Sequence, residues 1–318
     1  MSVSFRTESR HGYAVEFSPY LPNRIACATS QHYGFTGCGT LFILDITPDR
    51  KLFPYRSFDW NDGLFDVTWC ENNENLAVTA SGDGSIQFWD ILQPKGPIKV
   101  LKEHTKEVYG IDWSQTRDQH FILSASWDKS IKLWDPSGHQ SLSTFLGHEH
   151  VVYSAIWSPH IPMCFASTSG DRTVRVWDIK KPQMANLVIA TGNAEVLTCD
   201  WSKYDQNLLV TGSVDSQIHG WDLRNPRQPI FALSGHEYAV RRLKCSPHHG
   251  NIVASSSYDF SVRLWDFSTP QKQLECIRHH TEFVCGIDFN LHIPGQIVDC
   301  SWDERVLVYT PQSLLVPG

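Results

Sequence analysis

The sequence predicts an all-β fold, a single closed ring of seven four-stranded blades: a seven-bladed β-propeller. Two residue columns in phase along 318 residues carry the prediction. Four strand-like runs in each period, with no convincing amphipathic helix between them, support it.

The first column is a closing aspartate. Asp45, Asp90, Asp135, Asp178, Asp222 and Asp266 stand 43 to 45 residues apart, and one further step of 44 reaches Thr310. The second runs through Phe17, Trp69, Trp113, Trp157, Trp201, Cys245 and Phe289; after a first gap of 52, every step is 44. The units span approximately residues 11–45, 60–90, 103–135, 147–178, 191–222, 235–266 and 279–310 of one domain covering 1–318.

Within the fourth unit, "VVYSAIWSP", "CFASTS" and "TVRVWDI" read as strands, because apolar and β-branched residues alternate or cluster in short runs. "LVIA" supplies a fourth, and "SPHIP", "SGDR" and "KKPQ" provide the turns between them.

Composition narrows the function classes. Twelve tryptophans and a 41% hydrophobic fraction imply a large packed core rather than disorder. A formal charge of −7 with no long basic run argues against a phosphate-tracking nucleic-acid binder and favours basic partners. The nine scattered cysteines form no CxxC pair, and most sit in apolar strand runs, so they read as reduced core thiols. The N-terminus lacks the apolar core of a secretion signal, and no apolar run approaches membrane-spanning length. A soluble cytosolic protein is expected, with no direct membrane insertion and no cofactor or metal.

The stretch "GHEHVVYSAIWSP…SGDRTVRVWD" carries a Gly-His pair, an inner aspartate and a closing Trp-Asp. In these features the chain resembles the WD-repeat family over about residues 10–310. The resemblance implies one hydrogen-bonded network per blade, joining a histidine, a strand Ser or Thr, the inner aspartate and the tryptophan. In the fourth unit these are His148, Ser167 or Ser169, Asp171 and Trp177. The third unit offers His104, Asp128 and Trp134, and the sixth His236, Asp259 and Trp265. His280 fills the slot in the seventh, which ends in Tyr309-Thr310 instead of Trp-Asp. Trp60 takes the histidine slot of the second unit and Gly192 that of the fifth, while Cys38 replaces the inner aspartate of the first. Those blades are expected to be less tightly tied. The resemblance also implies a terminal strand that closes the ring; "SVSFRT", Ser2 to Thr7, is the favoured candidate and "SLLV" near the C-terminus its rival.

A network of Ser, His and Asp invites comparison with a hydrolase triad. Its repetition around the ring argues for structure, since catalysis does not need many copies. The sequence also lacks a GxSxG elbow, an HExxH pair and a phosphate-binding glycine loop. An enzyme is not expected.

Residues off the repeat consensus carry a narrower resemblance. "HGYAVEFSPYLPNRIACATSQHYGFTGCGTLFILD", "SFDWNDGLFDVTW", "YAVRRLKCSPHH", "SSSYDFSVRLWDFS" and "HHTEFVCGIDF" are similar to the peroxisomal targeting signal type 2 receptors, the peroxin-7 family. The resemblance implies a cytosolic receptor that cycles to the peroxisome. It would carry matrix proteins bearing the type 2 signal, with a co-receptor (long-form peroxin-5 or a fungal equivalent) and peroxisomal docking proteins as further partners. The implied ligand is an N-terminal segment of the form [R/K]-[L/V/I]-x5-[H/Q]-[L/A]. Its paired positions lie seven apart, so a helix presents a cationic flank beside an apolar one over about 12 Å. The complement is a surface of acids among aromatics.

The WD-repeat resemblance implies that the positions six and four before the second column, and the residue before each inner aspartate, face one opening of the ring, and these positions supply such a surface. Six residues back lie Glu107, Glu195 and Phe283; four back lie Phe65, Tyr109, Tyr153 and Leu197; the residues before the inner aspartates include Trp127, Tyr258 and Trp302. These ten form the expected signal-peptide face, with Glu107 and Glu195 meeting the ligand's cations. A different reading, a substrate adaptor of a cullin-type ubiquitin ligase, rests on "WDLR" at Trp221 to Arg224.

Overall fold

Twenty-eight strands among the described residues, 2–115 and 120–315 of a computed structural model, form seven antiparallel four-stranded sheets. Blade 4 is representative. Its strands are Val152–Trp157, Cys164–Ser169, Thr173–Asp178 and Leu187–Ala190, ordered from the centre outwards. Each innermost strand packs against that of the next blade, and Val284–Phe289 of blade 7 meets His11–Phe17 of blade 1. The ring is therefore closed. Its outermost strand in blade 7 is Val3–Arg6, paired antiparallel with Arg305–Tyr309 from Val3↔Val308 to Arg6↔Arg305. The rival C-terminal segment begins instead as a 3-10 turn over Gln312–Leu314.

The core is divided among the blade interfaces. One cluster gathers Leu41, Ile43 and Trp69 with Trp89 between blades 1 and 2; another gathers Trp157, Phe145, Phe165 and Trp177 between blades 3 and 4. The column residues Trp69, Trp113, Trp157 and Trp201 are all 5% exposed or less, each at an interface with the preceding blade. A second device ties neighbours together. Asp112 Oδ2 accepts a hydrogen bond from the Trp157 backbone N–H (2.7 Å), Asp200 Oδ2 from Cys245 (2.7 Å) and Asp288 Oδ2 from Phe17 (2.9 Å). The last crosses the seam between the chain's two ends. Each acid sits just before its own column residue, where it faces the axis and can reach the next blade.

Inside blade 4, Trp177 Nε1 donates to Ser167 Oγ (2.8 Å), Ser167 Oγ lies 2.7 Å from His148 Nε2, and His148 Nδ1 lies 2.8 Å from Asp171 Oδ2. Blades 3 and 6 repeat the arrangement through Trp134, Ser124, His104 and Asp128, and through Trp265, Ser255, His236 and Asp259. Of the two serines open from sequence, Ser167 joins this chain. Ser169 Oγ instead accepts the Asp171 N–H, shaping the turn. In blade 5, Trp221 Nε1 donates to Thr211 Oγ1 (3.0 Å), and Gly192 stands at φ +113° where a histidine stands elsewhere. In blade 2, Trp60 lies edge-on to Trp89, whose Nε1 donates to Thr79 Oγ1.

Blade 7 changes the chemistry. Asp299 replaces the strand serine and Tyr309 the tryptophan. Tyr309 donates its hydroxyl to Asp299 Oδ2 (2.7 Å), while His279 Nε2 and His280 Nε2 each approach Asp299 at 2.9 Å. His280 Nδ1 faces Asp303 Oδ2 at 2.8 Å.

The cysteines are all free thiols, and seven of the nine are buried. Among the described residues no helix is long and apolar enough to cross a membrane.

Candidate functional site: an aromatic and acidic face at one end of the ring

Every innermost strand slips register once. In the seven blades the slip leaves out Tyr13, Phe65, Tyr109, Tyr153, Leu197, Arg241 and Cys285. These are the residues four before the column. A β-bulge places one unpaired residue opposite the ladder and re-aims its side chain. Seven bulges at one level therefore turn one side chain per blade toward the same opening.

The result is an arc of rings. Tyr258 meets Phe283 (centroids 4.6 Å apart), Phe283 meets Trp302 (5.0 Å) and Trp302 meets Tyr13 (5.6 Å). The arc continues through Phe65 (5.0 Å from Tyr13) to Tyr109 (5.1 Å from Phe65), which touches both Trp127 (5.3 Å) and Tyr153 (6.2 Å). A cup of about 360 Å³ opens among Tyr109, Trp127, Tyr153, Leu197, Arg241 and Tyr258. It adjoins an open groove of about 660 Å³ bounded by Val214, Tyr238, Phe260 and Phe283. Val214, Ala239 and Tyr258 border both.

The structure brings together nearly all the residues expected at this face, in two roles. Tyr109, Tyr153, Trp127, Tyr258, Phe283 and Trp302 are half-buried and line the opening. Phe65 and Leu197 are buried, at 4% and 7% exposure, and support it from beneath. Phe65 and Tyr13 are capped by the long turn of blade 1. A Cβ on Gly34 would stand 2.5 Å from Tyr13 Oη and 2.8 Å from the Phe65 ring, and Gly34 has φ +74°. Tyr33 in that turn stacks on His11 at 4.0 Å, and its carbonyl accepts the Tyr13 hydroxyl (2.7 Å).

The acids stand at the rim. Glu195 is half-buried, and its Oε2 accepts the Tyr153 hydroxyl at 2.7 Å. Burial and then this carboxylate push the Tyr153 pKa well above its usual value, so Tyr153 remains a neutral donor. Glu107, also half-buried, stands near Asp62, whose pKa is raised by burial and further by Asp83 and Glu107. The face therefore has two acidic poles with aromatic surface between them.

The opposite opening is chemically different. Glu16, Asp112, Lys203, Lys244 and Asp288 line its cavities. Two of those acids are already engaged in the inter-blade ties. Burial raises the Asp112 pKa to about 7.

Among the described residues, His279, His280 and Asp299 have ligand atoms within 4.8 Å of one another, the spacing of a possible metal cluster. The hydrogen bonds of blade 7 already engage each of them.

Family comparison agrees with this architecture. The EIPR1 beta-propeller family matches residues 136–265, and the WD domain, G-beta repeat family matches 53–90 and 95–135. The peroxisomal targeting signal 2 receptor of Mus musculus is 58% identical over 315 residues, 99% of this chain and 98% of the mouse protein. The chain belongs to the peroxisomal targeting signal 2 receptor family. The receptor of Homo sapiens is 64% identical over 163 residues, covering 51% of this chain and 50% of the human protein. That of Saccharomyces cerevisiae is 34% identical over 232 residues, covering 64% and 61%.

Sequence reasoning missed three features of this family member's face. Asp62 lies outside the counted positions, although it falls just ahead of the inner strand of blade 2. Tyr238 and Phe260, 62% and 37% exposed, belong to turns that the column arithmetic does not reach. Arg241, by contrast, holds a column-derived position, four before Cys245, and nothing in its neighbours' identities marks it as different.

Proposed function

We propose that the chain is a cytosolic import receptor. It binds the N-terminal type 2 peroxisomal targeting signal of matrix enzymes at the bulge-residue face and delivers them to peroxisomes with a co-receptor. The observation that carries this reading is the near full-length likeness to the mouse type 2 signal receptor. The chemistry of the face supports it. Glu107 and Glu195 suit the cationic positions of a short amphipathic helix, and the arc from Tyr258 to Tyr153 suits its apolar positions. A desolvated Arg or Lys left without its acid is expensive, so the two glutamates set specificity as well as affinity. The reading assigns the chain no catalytic step.

Long-form peroxin-5 or a fungal equivalent is the proposed co-receptor, and peroxisomal docking proteins are the proposed later partners. In the stretch that suggested a ubiquitin-ligase adaptor, the exposed Arg224 folds onto Asp222 at 2.7 Å. The relatives carry receptor names, and their likeness lends the adaptor reading no support.

The test is retention of a reporter fused to a type 2 signal segment by the immobilised chain, with and without co-receptor. Retention should require the basic first position of the signal. No retention in either arm contradicts the reading.

A further inference from the structure

The floor of the cup is unlike its walls. Arg241 is 3% exposed, and its Nε and Nη2 have no hydrogen-bond partner. Its neighbour in sequence, Arg242, donates from Nη1 to Asp66 Oδ1 at 2.8 Å, but Arg241 has no such pair among the described residues. Instead its guanidinium lies 4.8 Å from the ring centre of Tyr109, on the far side of the opening from its own blade 6. Arg241 thus spans the axis and separates the cup from the narrow cavity of about 70 Å³ beneath, which it also lines. The Trp127 indole N–H, on the cup wall, is likewise buried without a partner. The tyrosine donor beside it, Tyr153, is already committed to Glu195.

Buried donors without acceptors are costly, and a guanidinium is among the costliest. A ligand that brings an acceptor recovers that cost on binding. A carboxylate would meet Glu195 across the Tyr153 hydroxyl, so a neutral acceptor fits better. We propose that Arg241 reads a neutral hydrogen-bond acceptor of the bound signal, the carboxamide or unprotonated imidazole of its Gln or His position. The proposal rests on the receptor reading above and assigns the His/Gln position to the centre of the cup. The glutamate poles are left to the basic residue at the signal's start.

The sign of the pH dependence separates this from an ion pair between a cationic histidine and a glutamate. The groups acting electrostatically on Arg241 include Tyr109, Tyr258, Cys285 and Asp66, and Tyr13 and Tyr153 also feel its charge. Burial raises the pKa of all four tyrosines and pushes the Cys285 thiol up to about 12, so none of these five titrates near neutrality. Asp66 is held in its pair with Arg242.

The experiment is a fluorescence-anisotropy titration of the full chain with three labelled signal peptides, differing only in Gln, His or Leu at the eighth position. Wild type, Arg241→Lys and Arg241→Met are compared. Wild type should bind the Gln peptide on the order of tenfold more tightly than the Leu peptide, and Arg241→Met should bind the two within about twofold. The His peptide should gain on the Gln peptide as the pH rises from about 5.5 to 7.5, because the free imidazole titrates near 6.5. An unchanged Gln/Leu ratio in both Arg241 variants overturns the proposal, as does a His peptide that loses ground as the pH rises. Should Arg241→Met fail to fold, the Lys variant and the peptide ratios on wild type still decide it. Wild type that binds none of the peptides overturns the receptor reading, and this one with it.

Discussion

Blades 4 and 7 tie the same three points of a blade together with opposite electrostatics. In blade 4 the donors run in one direction: the Trp177 indole to Ser167, the serine hydroxyl to His148 Nε2, and His148 Nδ1–H to Asp171. That chain is complete with a neutral imidazole. Burial lowers the His148 pKa by more than Asp171 raises it. In blade 7 both ring nitrogens of His280 face carboxylates, so both must carry protons. Burial pulls the His280 pKa down, yet Asp299 and Asp303 outweigh it and push it up to about 9. Burial alone would raise the Asp299 pKa, but His280 and His279 hold it well below the usual carboxylate range. A perturbed, buried Asp–His cluster is therefore a structural substitution here. Asp299 and its partner Tyr309 fill the slots that Ser167 and Trp177 fill in blade 4, at the seam where the two chain ends meet.

Three mutations and a pH series sharpen this contrast. Asp299→Ala leaves the buried His280 imidazolium with Asp303 alone and takes the acceptor from His279 and the Tyr309 hydroxyl, and should cost about 3–5 kcal/mol. Asp171→Ala leaves the neutral His148 underpaired and removes the anion that Arg175 approaches at 3.7 Å, and should cost about 1–3 kcal/mol. Urea unfolding of the two variants checks the order; equal costs would erase the distinction between the blades. The surviving folded fraction of Asp171→Ala should keep wild-type signal affinity. The smallest effect is in pH. His280 titrates near 6.5 when unfolded and near 9 when folded, so its stabilisation is full below about pH 6.5 and is lost as the pH rises through about 9. Melting temperatures across pH 6–10 should show this alkaline loss, and Asp303→Asn should shift it to lower pH. A profile unchanged by Asp303→Asn contradicts the charged assignment.

The parts of the molecule that repeat were legible in the sequence, because periodicity reports whatever every blade must solve. The tryptophan column, the His148–Asp171 pair and the strands of blade 4 all follow from it. Ser167 could not be separated from Ser169 by spacing alone, since both lie on one strand and the choice depends on which faces the indole. The counted face was legible as a set, because the bulge puts one residue per blade at the same level. Burial depth was not. Phe65 and Leu197 support the face from beneath because packing around them differs from blade to blade, and the turn carrying Tyr33 and Gly34 covers one side of the arc. Asp62, Tyr238 and Phe260 lie in turns whose paths no column fixes. The missing partner of Arg241 depends on the far side of the ring, which a count along one strand does not contain.

The central claim is that recognition lies where the blades differ, at the bulge face with Glu107 and Glu195 at its poles. The most direct measurement is a titration of fluorescent signal peptide against Glu107→Lys and Glu195→Lys at low and moderate salt, with melting temperatures recorded beside it. Both variants should melt near wild type and lose affinity by about a hundredfold or more. Wild-type affinity in both would contradict the account and move the search to the opposite opening or the blade sides.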